Sequence, residues 1–100
     1  MSRFVVSAEA QVDIDLIAAY TTDTWSWQQT YRYLSKLEDS FQLLAENPRM
    51  GRSCDAISAG LHRHEVGKHV IFYRLKPSGI RVVRILHQQM NPTKSRFNKL

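Results

Sequence analysis

Apolar residues return at three- and four-residue steps through the first half of the chain and alternate or cluster in short blocks through the second. Arg3-Phe4-Val5-Val6 reads as a short strand, followed by Ser7 as a helix N-cap with Glu9 in the first turn. Ala10, Ile14, Ile17, Ala18, Thr21 and Trp25 then mark one face of a helix. Asp13, Asp15 and Asp23 fall off that stripe and are expected to face water. Thr21-Thr22-Asp23-Thr24 is expected to weaken the helix, because β-branched and capping residues disfavour a helix interior. Ser26, with Gln29 three residues on, forms a capping box that starts a second helix. Its stripe is Trp27, Tyr31, Leu34, Leu37, Phe41 and Leu44, and Pro48 ends it by pushing Asn47 out of helical geometry. Two amphipathic helices joined by one or two residues fold back as an antiparallel hairpin, and their stripes need a further surface to cover.

The second half supplies that surface. After a loop from Met50 to Gly60, strands are expected at Leu61–Val66, His69–Leu75 and Ile80–His87, linked by Gly67-Lys68 and by the turn Lys76-Pro77-Ser78-Gly79. Links this short make an antiparallel meander. In the last strand Ile80, Val82, Arg84 and Leu86 alternate with Arg81, Val83, Ile85 and His87, so that Arg81 and His87 share a face. Both faces are partly apolar: one packs on the helices and the other needs partial cover. The order β-α-α-β-β-β defines an α+β domain, a helical hairpin packed on a curved antiparallel sheet. A single domain is expected over residues 1–91. Asn91-Pro92-Thr93 breaks the last strand, and in 92–100 only Phe97 and Leu100 are apolar beside Lys94, Arg96 and Lys99. That segment is expected to be a basic, flexible tail without a core of its own.

Composition narrows the class. With 100 residues, 43% hydrophobic and 23% charged, the chain is one globular domain rather than a disordered segment. The longest apolar run, Leu16 to Tyr20, is far short of the roughly 20 residues a membrane span needs. No signal-peptide pattern opens the chain, and the single Cys54 cannot form an internal disulfide, so a reducing cytoplasm is expected. The net charge of +5 is unevenly placed. Residues 1–48 hold seven acids and three bases, whereas residues 49–100 hold eleven bases and two acids. A basic half suits an anionic partner such as nucleic acid, an enzyme bound to it, or an acidic peptide, although surplus charge also serves solubility.

Catalytic patterns are sparse. There is no Gly-x-Ser-x-Gly elbow, no phosphate-binding glycine loop and no carboxylate pair in the sheet half. His62 and His64 share a strand face but lack a third ligand at matching spacing, so neither a metal nor another cofactor is expected. What remains is a set of bases in and around the strands: His62, Arg63, His64, His69, Arg74, Arg81, Arg84 and His87. They either protect strand edges and cover apolar neighbours with their stems, or form a surface for phosphates or acidic groups. Trp25 and Trp27 either pack at the hairpin tip or contact a partner.

Taken in order, several blocks carry a family resemblance. They are Ser40-Phe41-Gln42-Leu43-Leu44-Ala45-Glu46-Asn47-Pro48, Gly51-Arg52-Ser53-Cys54-Asp55, Gly60-Leu61-His62-Arg63, His69-Val70-Ile71-Phe72-Tyr73-Arg74 and the strand from Ile80 through Met90. Over residues 3 to about 91 the chain resembles ParE-type toxins of the RelE/ParE superfamily, the toxic halves of bacterial toxin–antitoxin pairs. The resemblance implies a toxin without catalysis of its own that traps DNA gyrase on its DNA. It also implies a ParD-like antitoxin that neutralises it in a hetero-oligomer. RelE-like members of the superfamily are ribosome-dependent mRNA endonucleases. Arg63 and Arg81 match their basic positions and His87 lies near the strand end, but Gln88-Gln89-Met90 offers no tyrosine and only Lys68 and Lys76 supply lysines between 49 and 90. A ribonuclease and a non-toxic binding module remain the alternatives. The target-binding surface is expected at Arg63, Arg81, Arg84, His87, Met90, Lys94 and Arg96, with Lys99 beyond. Antitoxin contact is expected at Trp25, Trp27, Tyr31 and Arg74, with exposed aromatics offering a groove for an amphipathic helix.

Overall fold

Ser7 makes the first junction between layers. In the computed structural model, which describes residues 2–97, its hydroxyl accepts the Ala10 N–H at 3.0 Å and donates to the Val83 carbonyl at 3.0 Å. The N-cap that starts the first helix thus also fastens it to the last strand. Strand β1 (Arg3–Val6) precedes Ser7, and helix α1 (Ala8–Thr24) follows it. α1 does not fray at its threonines. The Thr21 hydroxyl bonds back to the Ile17 carbonyl at 2.7 Å, and the Thr22 and Thr30 hydroxyls meet at 2.6 Å across the hairpin. Ser26 caps helix α2 (Trp27–Glu46), accepting the Gln29 N–H at 3.2 Å.

Strands β2 (Arg52–Ser53), β3 (Leu61–Val66), β4 (His69–Lys76) and β5 (Gly79–His87) complete the fold. The two-residue β2 is an addition to the expected elements, where the loop after α2 pairs briefly with β3. The sheet order is β1-β5-β4-β3-β2. β3, β4 and β5 form the expected antiparallel meander, but β1 lies parallel to β5, so the sheet is mixed rather than wholly antiparallel. Gly79 permits this close start. Its φ is 153°, and a Cβ there would run into the Arg3 carbonyl.

A bulge decides which way β5 points its side chains. Tyr73 pairs with Val82 and Phe72 with Arg84, leaving Val83 as the extra residue. Ile80, Val82 and Ile85 therefore join the core beneath the helices, while Val83 and Leu86 join the opposite face. The simple alternation that placed Arg81 and His87 on one face is corrected here: Arg81 lies on the face away from the helices, and His87 turns towards them, beside His69.

The helix side buries Ala10, Ile17, Leu37, Phe41, Leu44, Ile71, Tyr73, Ile80, Val82 and Ile85 in one cluster. The other face is covered by Cys54 and Ile57 of the loop and by Phe97, which is 2% exposed and lies 5.0 Å from the Phe72 ring centre. The segment after Asn91 builds no core of its own, as expected of it, but Phe97 joins the core of the domain. A single-turn 3-10 helix (Lys94–Arg96) delivers it, because an open apolar patch over Phe72 and Leu86 rewards burial of one large ring. Residues 98–100, including Lys99, lie outside the described residues. Replacing Phe97 with Ala should cost about 3–5 kcal/mol of stability, read from urea unfolding. A loss near zero would mean the ring is not seated on the sheet in solution.

Candidate functional site

Two charged groups join α1 to β5. The Asp13 carboxylate accepts Arg84 Nε at 2.8 Å, Arg84 Nη2 at 3.0 Å and the Ile85 backbone N–H at 2.9 Å. Asp13 is buried, so its expected exposure to water is corrected, whereas Asp15 and Asp23 do face solvent. The fork geometry of guanidinium and carboxylate gives both partners charge-assisted bonds, and the bond to Asp13 raises the Arg84 pKa. Arg84 is thereby held inside the fold and is not part of a free basic surface, contrary to its expected role in target contact.

Next to this pair runs a chain of rings. Tyr33 of α2 donates its hydroxyl to the Val66 carbonyl at 3.1 Å and meets His69 Nδ1 at 2.6 Å. The His69 and His87 rings stand edge to face with centres 5.4 Å apart, and His87 Nδ1 accepts the Gln89 N–H at 3.1 Å. Burial, then the neighbouring His87, lowers the His69 pKa below 6.5, against a smaller upward pull from Asp13. Burial also raises the Tyr33 phenol. Neither Tyr33 nor His69 is among the expected contact residues, since they are separated by 36 residues and meet only through helix-on-sheet packing.

The remaining expected residues divide between bracing and exposure. Arg74 Nη1 donates to the Ala59 carbonyl at 2.7 Å and Nη2 to Ser58 Oγ at 2.9 Å, so it holds the 54–60 loop onto the sheet. Arg63 lies 5.4 Å over the Phe72 ring and 3.7 Å from Glu65, which also pairs with Arg52. Arg81 stands across from Arg74 and takes part in none of the ion pairs among the described residues. Met90 and Lys94 are exposed, and Arg96 Nε donates to the Asn91 carbonyl at 2.9 Å. Burial raises the Cys54 thiol, which makes it a poor nucleophile. No three His, Cys, Asp or Glu residues lie together as a metal site among the described residues.

On the helical side, Trp25, Trp27 and Tyr31 are each about 70% exposed. They belong to the surface of the hairpin tip, and the stripes that placed them among core positions are corrected there. α1 carries a second set of large exposed side chains, Val12, Leu16 and Tyr20, on a face about a quarter-turn round the helix from buried Ala10, Asp13 and Ile17.

This arrangement, with its hairpin, meander and parallel first strand, has relatives. The family model for the ParE toxin of the type II toxin–antitoxin system parDE matches residues 4–92. The chain belongs to the ParE toxin family. It is similar to Toxin ParE1 of Mycobacterium tuberculosis, at 41% identity over 91 residues covering 90% of this chain and 93% of the relative. Toxin ParE1 of Caulobacter vibrioides is 37% identical over 91% of this chain and 94% of its own, and Toxin ParE of Escherichia coli is 30% identical over 91% and 89%. Among solved structures, a chain of the chromosomal ParDE system from P. aeruginosa matches with a TM-score of 0.72, covering 87% of this chain and 96% of that one. At 16% identity, that likeness concerns the fold alone. The ParE fold thus carries the expected helical hairpin on a sheet, with no helix among the described residues long and apolar enough to cross a membrane.

Two stability outcomes follow from the buried groups. Asp13→Ala leaves the Arg84 charge and the Ile85 N–H without their acceptor and should cost about 3 kcal/mol or more in chemical denaturation. His69 is held neutral in the fold, so the unfolded chain takes up a proton first as pH falls. Its contribution is complete above pH 6.5 and declines below it. Stability measured from about pH 7.5 to about pH 5.5 should therefore fall less steeply in His69→Gln than in the wild type, and parallel profiles would refute the assignment.

Proposed function

We propose that this ParE-family chain is a cytoplasmic toxin that inhibits DNA gyrase by trapping its DNA-bound intermediate, without catalysis of its own, and is neutralised in a hetero-oligomer by a ParD-like antitoxin. The observation that carries the reading is the family match across residues 4–92, supported by relatives named ParE toxins that align over nine-tenths of the chain. A poison of this kind needs a complementary surface rather than a nucleophile. Arg81, His87, Met90, Lys94 and Arg96, with Arg63 at the far side of the sheet, are the proposed contacts to gyrase or its DNA. Arg84 is left out because Asp13 holds it. Trp25, Trp27 and Tyr31 are proposed as antitoxin contacts at the hairpin tip. Arg74 is left out of that set, because it braces the 54–60 loop on the sheet face away from the helices.

A second reading, ribonuclease activity, draws on one feature: His87 stands beside His69, which Tyr33 orients. Such a chain of rings could hold or move a proton. The two readings separate cleanly in vitro. Purified toxin should block plasmid supercoiling by gyrase and accumulate cleaved DNA, with an effect that weakens as salt rises. Arg81→Ala should reduce potency by about tenfold, the value of one charge-assisted contact. Ribosome-dependent mRNA cleavage with untouched gyrase would establish the ribonuclease instead. Harmless accumulation in growing bacteria would favour a binding module.

A further inference from the structure

The outward face of α1 holds more than three exposed apolar side chains. With Asp13 fixed to Arg84, the helix presents to solvent an arc that includes Ala8, Glu9, Val12, Asp15, Leu16, Ala19, Tyr20 and Asp23, all exposed. Val12, Leu16 and Tyr20 are 56%, 64% and 68% exposed and recur every four residues, which makes a ridge on the helix surface. Every charged residue on this arc is an acid, and α1 contains no base at all. Glu9, Asp15 and Asp23 each sit three residues from a ridge position, so carboxylates border the ridge along its length.

A ridge of this kind fits a facing amphipathic helix. Its acids restrict which helix that can be. A second copy laid on the same face would set Asp15 and its neighbours against their own equivalents, and like charges across an interface oppose docking. The basic sheet face of another copy has the right sign, but its large exposed apolar residues are scattered ones, Val5, Met50 and Met90, which form no ridge. The partner that satisfies both features carries apolar residues at four-residue spacing bordered by lysine or arginine.

We infer that the α1 ridge seats a helix of the antitoxin whose apolar stripe is flanked by basic residues. The inference rests on the toxin–antitoxin reading above. It also assigns the antitoxin a divided charge: a basic-bordered helix for α1, and acidic side chains where it meets the basic sheet half. Docking would bury the ridge while the flanking pairs fix register and raise the association rate.

The test uses the full-length toxin and the protein encoded beside it, with affinity measured calorimetrically at two salt concentrations. Leu16→Glu with Tyr20→Glu should weaken the complex about a hundredfold or more, because the centre of the contact loses its apolar anchors. Asp15→Lys with Asp23→Lys should weaken it about tenfold at low salt and flatten its salt dependence. All four positions are exposed, so circular dichroism and unfolding should stay at wild-type values. Unchanged affinity in both variants would overturn the inference while leaving the toxin–antitoxin reading intact. Failure of the wild type to bind its neighbour would instead overturn that reading, and this inference with it. Free toxin should sediment as a monomer; a dimer abolished by Leu16→Glu would assign the ridge to a second copy and refute the proposal.

Discussion

The unfinished edge of β5 is the constraint on which the two layers depend. β1 pairs with β5 only as far as Val82, so the rest of that edge would expose backbone groups with no strand beside them. α1 completes it. The Ser7 N–H donates to the Val82 carbonyl, the Ser7 hydroxyl donates to the Val83 carbonyl, and the Asp13 carboxylate accepts the Ile85 N–H. A carboxylate can take this place because Arg84, the intervening residue on the same strand, balances its charge. The edge is thereby closed to strand addition by another chain, and α1 is fixed in both position and rotation.

Much of the fold could be read from sequence because its signals are local. Ser7 and Ser26 cap the helices they precede, Pro48 closes the second, and the short turns at Gly67 and Pro77 leave three strands no arrangement but a meander. What was not legible depends on distant pairs. In α1 the stripe through Ala10, Ile14 and Ile17 is legible as the packing face and does pack on the core. What the helix alone does not reveal is that Asp13 joins that face, because its partner Arg84 lies 71 residues away. The bulge at Val83 is likewise a property of two strands together, and no period-2 reading of β5 alone can register it.

Counting bases correctly marked the sheet half as positive, yet a count cannot distinguish a charge that meets solvent from one that braces the fold. Arg84 answers a buried carboxylate, Arg74 holds the 54–60 loop, and Arg63 lies along Phe72. Lys94 faces solvent, and Arg81, half-buried, takes part in none of the ion pairs among the described residues. The aromatic residues show the converse problem. Trp25, Trp27 and Tyr31 fall on helical stripes, yet all three are exposed and belong to neither core cluster.

The separation of charge follows from the same lock. Pairing Asp13 with Arg84 withdraws one acid from the helical surface and one base from the sheet, and leaves the two surfaces otherwise of opposite sign. On α1 the remaining acids border an apolar ridge large enough to invite self-association. A bare ridge would gain from burial against any apolar surface, including its own copy. Ringed with carboxylates, it gains fully only when the facing surface brings positive charge to the same border. Selectivity here comes from what the flanking residues penalise rather than from any extra attraction in the ridge itself. One buried ion pair, by fixing the rotation of a helix, decides which residues form that border.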